Sequence, residues 1–166
     1  MSRKPKTFYG GLHPPDSKAA SADKAVENCP LPDEIIIPLS QHIGAPAEPC
    51  VAVGDLVCRG QVVGEARGFV SVPVHASTSG EVVAVEARPH PSGRNLPAVV
   101  IRPDGCDQWC GDLHGLGEDE LAPDPVRDKL RACGIVGLGG ATFPTHVKVS
   151  PPPEKPIDTL IINGAE

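Results

Sequence analysis

The sequence predicts a mainly β fold, a sandwich or small barrel, followed by the start of an α/β segment. Three observations carry this. Short runs of β-branched and aliphatic residues recur between positions 33 and 103, most of them closed by glycine or proline. The 20 prolines and 18 glycines are scattered among these runs rather than gathered in polar repeats, so they punctuate turns and do not mark disorder. After position 123 a helical stripe, a glycine cluster and an aliphatic run follow one another, the order in which a nucleotide-binding α/β domain begins.

Residues 1–29 read as an extended arm. Gly10-Gly11-Leu12-His13-Pro14-Pro15 excludes regular structure, since Pro15 bars the α region for Pro14, and residues 21–26 read as a short helical turn. Residues 34–39 form a β-branched strand ending at Pro38, and residues 50–55 a second strand leading into a Gly54-Asp55 turn. Residues 56–61 link to the next turn. Residues 62–66, 69–74 and 80–86 are further strands, and residues 96–101 close the β region. A polar linker leads to a helix with Asp124 as N-cap, Pro125 at the first helical position and Gly134 just past its end. Val126, Leu130 and Cys133 give it one apolar stripe. Beyond a proline-rich break at 150–156, residues 157–162 read as a buried strand. The predicted organisation is an arm at 1–29, a β domain at 30–104, a linker at 105–123 and an α/β segment at 124–166.

With only 3 Phe, 1 Trp and 1 Tyr, the core is built from Val, Ile, Leu and Ala. A net charge of −6 without a basic stripe disfavours nucleic acid as a partner. No apolar run is long enough to cross a bilayer, and the basic first residues are not followed by the apolar stretch of a secretory signal. The six cysteines, at 29, 50, 58, 106, 110 and 133, are therefore expected to be reduced. Cys106, Cys110 and His114 form the one tight cluster, without the spacing of a zinc site, so no metal site is expected.

The most informative stretch is 134–148. Gly137, Gly139 and Gly140 lie within four positions, Phe143-Pro144 follows, and Lys148 comes next. Closely set glycines let a flat or phosphorylated ligand reach the main chain. Phe143 offers a stacking face and Lys148 a charge. The competing reading is a tight helix-to-strand connection, with Phe143 in the core and Lys148 in solvent. His42, His75 and His90 lie beside proline or in turn-like strings and are expected to hydrogen-bond turn backbone.

The segment Val53-Gly54-Asp55-x-Val57-x-x-Gly60-Gln61-x-Val63, with Pro73 and Ser79-Gly80-Glu81-Val82, resembles biotinyl and lipoyl carrier domains, which are barrel-sandwich hybrids. The resemblance implies the fold but not the carrier role. No lysine lies between Lys24 and Lys129, and the expected hairpin tip reads Ala66-Arg67-Gly68.

Longer strings agree with a second family. They are Gly10-Gly11-Leu12-His13-Pro14-Pro15, Pro38-Leu39-Ser40-Gln41-His42-Ile43-Gly44-Ala45-Pro46 and Pro73-Val74-His75. Arg88-Pro89-His90-Pro91-Ser92-Gly93, the 134–148 stretch and Ile161-Ile162-Asn163-Gly164-Ala165-Glu166 complete the set. In these the chain resembles the RnfC family, a component of the Rnf (Rsx) ion-translocating electron-transport complex. Its glycine loop is similar to that of the flavin-bearing subunit of respiratory complex I.

The resemblance implies a barrel-sandwich hybrid followed by a truncated α/β segment, the chain being the N-terminal portion of such a subunit. It implies FMN bound by Gly137, Gly139, Gly140, Phe143, Lys148, Asn163 and Glu166, with NADH stacked nearby. It also implies 4Fe-4S clusters whose cysteine runs this chain lacks. Leu138 stands where the complex I loop has arginine. The implied role is electron transfer between NADH and ferredoxin, coupled to ion movement, in a peripheral subunit on the cytoplasmic side of the membrane among other subunits. The alternative is a non-catalytic docking module for those subunits. This chain alone is expected to be inactive.

Overall fold

The computed structural model describes residues 9–10, 15–111, 113–155, 157–159 and 161. The chain divides into two compact units, Met1–Pro30 and Leu31–Glu166. In the first, the expected helical turn lies upstream of 21–26, as a 3-10 turn at Lys18–Ala20. The amides of Ser21 and Ala22 donate to the Lys18 carbonyl, at 3.0 and 2.9 Å.

Among its described residues the second unit holds seven strands and two α-helices, besides a 3-10 turn at Glu118–Glu120: β1 Ile35–Pro38, β2 Glu48–Pro49, β3 Leu56–Val57, β4 Val62–Glu65, β5 Val74–His75, β6 Gly80–Pro89, β7 Asn95–Pro103, α1 Pro123–Ala132 and α2 Thr145–Lys148. One sheet runs β1-β7-β6-β3 and the other β2-β4-β5, and every pair is antiparallel. This is the barrel-sandwich hybrid the sequence predicts. A single core cluster joins the two sheets, with Ile37, Val57, Val82, Val99 and Ile101 from the first and Val63 and Val74 from the second. Alternation along a strand puts Val99 and Ile101 in this cluster, while Ala98 and Val100 are buried on the opposite face.

Four strands fall where the β-branched runs place them, and three differ. Residues 50–55 form no ladder; the pairing shifts back to β2, and Gly54 turns the chain with φ 95°. The supposed link at 56–61 contains β3, which pairs with β6. The strand expected at 69–74 shrinks to β5 because side chains and a neighbouring loop occupy its main-chain groups. Ser71 Oγ accepts from the Arg67 amide and donates to the Ala45 carbonyl, both at 2.9 Å, and the Ala45 amide donates to Val70 at 3.1 Å. The two loops approach so closely that a Cβ on Gly44 would overlap the Val70 carbonyl.

Helix α1 starts earlier than expected, with Pro123 at its first position; Asp124 pairs with Arg127 instead of capping. None of its residues is buried. Residues 157–159 and 161 form no strand, and Ile157 and Ile161 are 62% and 88% exposed. A strand needs a neighbour to bond, and none of the described residues supplies one. Leu160 and Ile162 lie outside the described residues.

The start of the expected linker folds back onto the barrel. Cys110 forms a disulfide with Cys58, Cα atoms 5.3 Å apart, which corrects the expectation of six reduced cysteines. Cys29, Cys50, Cys106 and Cys133 are free and exposed. The partners are 52 residues apart, and sequence alone does not give connectivity. Around the bond, the Arg59 amide donates to Gln108 at 2.8 Å and the Cys110 amide to Arg59 at 3.0 Å. Arg59 also pairs with Asp107 and lies 4.2 Å from the Trp109 ring centre.

Closing a loop of this length restricts the unfolded chain, so Cys110→Ser is expected to cost about 2–4 kcal/mol. Urea denaturation of the variant beside the unaltered chain, each with and without dithiothreitol, measures this. Equal midpoints in all four samples would remove the disulfide from the account of stability.

Candidate functional site

The glycine stretch is a narrow loop whose base is closed and whose tip is open. α1 ends where the Gly134 amide donates to Arg131 at 2.9 Å and the Ile135 amide to Leu130 at 3.1 Å. Gly134, with φ 67°, turns the chain against β5; a Cβ there would lie 2.7 Å from the Pro73 carbonyl and 3.2 Å from the His75 ring. The chain then doubles back. Val136 bridges Pro144, the Gly137 amide donates to Phe143 at 2.9 Å and the Thr145 amide to Ile135 at 3.0 Å. At the tip the Thr142 amide donates to Gly139 at 2.9 Å, with Thr142 itself at φ 43°. The amides of 138–141 make no hydrogen bond among the described residues.

The three glycines have different surroundings. None lies in the left-handed region, so the backbone does not demand glycine at any of them. A Cβ on Gly137 would meet Lys148 Nζ, the mobile end of an exposed side chain that lies over this glycine. At Gly139 and Gly140 a Cβ would meet no atom within 4 Å. Both are exposed, as is Leu138 between Gly137 and Gly139. Among the described residues neither conformation nor crowding accounts for glycine at 139 and 140. Phe143 is half-buried at the closed end, its carbonyl used by the loop itself. Lys148 is exposed and forms no ion pair among the described residues. Asn163 and Glu166 lie outside the described residues.

Polar contacts hold this segment to the barrel. His146 on α2 is buried; its Nε2–H donates to the Phe69 carbonyl at 2.9 Å and its ring meets Phe69 edge-on at 5.9 Å. Its Nδ1 is buried without a partner. Arg131 donates to the Gly68 carbonyl at 2.8 Å. The loop where a carrier domain would present its lysine is thus engaged by the helical segment, and Arg67 within it pairs with Glu48. Sequence pattern does not reveal His146, because its partner stands 77 positions away.

The tip faces a groove of about 770 Å³, lined by Pro38, Ser40, Gln41, His42, Ile43, His90, Pro91 and Gly140 to Thr142. Three strings singled out in the sequence, at 38–46, 88–93 and 134–148, meet here. Each histidine does bond main chain. His42 Nδ1–H donates to the Ile43 carbonyl at 3.0 Å and Nε2 accepts the Val72 amide at 3.3 Å. His90 Nε2–H donates to the Ser40 carbonyl at 2.9 Å, while Nδ1 accepts from the Ser92 hydroxyl at 2.9 Å. Desolvation holds His75 below the usual imidazole range, and its hydrogen bond with the Ala132 main chain opposes this. No group of three His, Cys, Asp or Glu among the described residues is placed to hold a metal ion.

The family model described as the RnfC barrel sandwich hybrid domain matches residues 6–106. The chain belongs to the RnfC family. The model described as the Nuo51 FMN-binding domain matches residues 130–166. Among relatives, the C subunit of a Na(+)-translocating ferredoxin:NAD(+) oxidoreductase complex from Acetobacterium woodii is 50% identical over 167 residues, covering 100% of this chain and 38% of the relative. The C subunit of a proton-translocating ferredoxin:NAD(+) oxidoreductase complex from Clostridium ljungdahlii is 48% identical, over 97% of this chain and 35% of the relative. The C subunit of an ion-translocating oxidoreductase complex from Rhodobacter capsulatus is 46% identical, over 96% and 31%. This RnfC chain therefore spans about a third of those relatives' lengths, from 31% to 38%.

The open tip has a consequence for stability. Gly139→Ala and Gly140→Ala should leave thermal stability unchanged or raise it by about 0.4–1 kcal/mol, through lower unfolded-state entropy. A loss above about 1 kcal/mol by calorimetry would show that these glycines serve the fold. His75 carries a depressed pKa, so the unfolded chain binds its proton first as pH falls. Its contribution is complete above pH ~6.5 and is lost below it. Thermal midpoints between pH 7.5 and 5 should fall more steeply for the unaltered chain than for His75→Gln; parallel profiles would exclude this cause.

Proposed function

We propose that residues 134–148 form the first part of a flavin mononucleotide site in a subunit of an ion-translocating, ferredoxin- and NAD-linked electron-transport complex. The observation that carries this is the pair Gly139 and Gly140, open on their outer side and with no neighbour among the described residues that a Cβ would meet. The match of residues 130–166 to an FMN-binding domain and the printed names of the relatives support it.

The residues present fit such a group. The unbonded amides of 138–141 offer donors to an anionic or carbonyl edge. The bare α-carbons of Gly139 and Gly140 admit a ring face, and Phe143 backs the loop. The Lys148 ammonium lies over Gly137. Asn163 and Glu166 complete the proposed set. Bound FMN would accept a hydride equivalent and release electrons singly. The chain's own part is to bind, orient and shield the ring. The cysteines of this sequence form no closely spaced run of the kind that holds an iron–sulfur cluster, so 4Fe-4S centres and NADH are assigned to the complete subunit.

The proposed division keeps 1–29 as an arm, 30–104 as the barrel, 105–123 as a connection and 124–166 as the opening of the flavin domain. No helix among the described residues is long and apolar enough to cross a membrane. We place the subunit peripherally, on the cytoplasmic face, held by partner subunits.

Titration of FMN with the chain should quench flavin fluorescence, and Gly139→Val with Gly140→Val should abolish the quenching. Persistence in the double variant would overturn the site. The chain alone should not reduce ferricyanide with NADH, since NADH is assigned to the complete subunit; robust turnover would contradict that assignment.

A further inference from the structure

The flavin domain is expected to build its site from its own loops, yet the open tip of the glycine loop faces the barrel. The groove between them has a volume in the range of small-molecule sites, about 300–1,000 Å³. Its surface is mainly apolar, from Pro38, Ile43, Pro91 and Ala141, with a few polar groups. Ile43 is 52% exposed, outside the barrel core, so its apolar side chain is not explained by the barrel's own stability.

The barrel wall is held rigidly. Two histidines lock loop 38–43 from both sides, and each uses both ring nitrogens. His90 ties the loop to the β6–β7 turn through Ser40, and His42, itself buried, ties it to Val72. Neither imidazole is left to bind a ligand; both serve to fix the wall. Three polar side chains remain, and beside the Ser40 hydroxyl two of them face each other across the groove. Gln41 Nε2 donates to the Pro38 carbonyl at 2.9 Å, which orients the amide and leaves Oε1 without a partner among the described residues. Thr142 lines the opposite side, with no hydrogen bond from its hydroxyl among the described residues.

We infer that the barrel supplies the second wall of the flavin site, with Ile43 and Pro91 covering the ring face away from Gly140 and Gln41 Oε1 accepting the ring imide N–H. This rests on the reading of the glycine loop as a flavin site. It makes the site composite: the ring lies between two segments nearly a hundred residues apart in the chain, and neither segment alone encloses it. It also gives the strings at 38–46 and 88–93 a function, since they build and brace one face of a cofactor slot.

The test is FMN fluorescence titration of the 166-residue chain, with Gln41→Ala, Ile43→Asp and Gly140→Val, beside thermal melts without ligand. Gln41 and Ile43 are exposed, so both variants should melt within about 0.5 kcal/mol of the unaltered chain. Gln41→Ala should weaken FMN binding roughly three- to tenfold, the loss of one hydrogen bond. FMN methylated at the imide nitrogen should show the same deficit against the unaltered chain and none against Gln41→Ala. Ile43→Asp should weaken binding at least as much as Gln41→Ala.

If Gly140→Val abolishes binding while Gln41→Ala and Ile43→Asp bind as the unaltered chain does, the barrel wall is overturned and the glycine-loop site stands. If the barrel variants lose binding and Gly140→Val does not, the ring sits on the barrel and the glycine-loop reading fails. No quenching by the unaltered chain overturns both.

Discussion

The register of the β6–β7 ribbon is the constraint on which the rest of the structure depends. Its strands are ten and nine residues long and stay paired from Gly80 opposite Pro103 to Pro89 opposite Asn95, with one irregularity between Val82 and Ala84. A slip of one residue would turn Val99 and Ile101 out of the core cluster and bring Ala98 and Val100 in. It would also displace the turn beyond Pro89, where the Gly93 amide donates to His90 and the His90 amide to Arg94. That turn carries the imidazole that grips Ser40. Hydrophobic burial in the barrel thus sets the position of one side of the groove to within the length of a hydrogen bond.

The opposite side is supported differently. α1 buries none of its residues, and the glycine loop has no core of its own. What fixes them is a short set of contacts with the barrel: Arg131 on Gly68, His146 on Phe69, and Gly134 pressed against Pro73 and His75. Segments with few buried apolar contacts open at lower free energy than the global transition. The loop is therefore held less firmly than the barrel wall. One face preorganised and one face adaptable is a workable division of labour for a cofactor that must be enclosed.

How far the sequence speaks follows the same physics. β1, β4, β6 and β7 were legible because each lies in a β-branched, aliphatic run bounded by glycine or proline. The two-residue ladders β2, β3 and β5 were not, since two residues carry no period. Ser71 shows why the expected strand at 69–74 shrank: a hydroxyl that bonds both Arg67 and Ala45 competes with ladder formation, and its Ala45 partner is far away in sequence. The Cys58–Cys110 bond was hidden for the same reason of distance. The glycine loop was conspicuous as composition. Its surroundings were not, because only coordinates separate Gly137, over which the Lys148 ammonium lies, from Gly139 and Gly140, beside which a Cβ would meet nothing among the described residues.

Leu138 poses the remaining physical question, since the chain carries a net charge of −6 and the loop holds a leucine where a complex I loop has arginine. Magnitudes decide it. An exposed ion pair contributes about 0–1 kcal/mol, because water and salt screen it. A hydrogen bond to a charged group contributes about 1.5–3 kcal/mol. Leu138 is fully exposed, so an arginine there would supply only the smaller quantity. The amides at 138–141 are unbonded and supply the larger quantity whenever two of them meet an anionic oxygen. On the proposed flavin reading, the main-chain donors offset the missing cation at 138 as long as they remain reachable. A side chain at 139 or 140 is the greater loss, because it removes the approach on which those amide bonds depend.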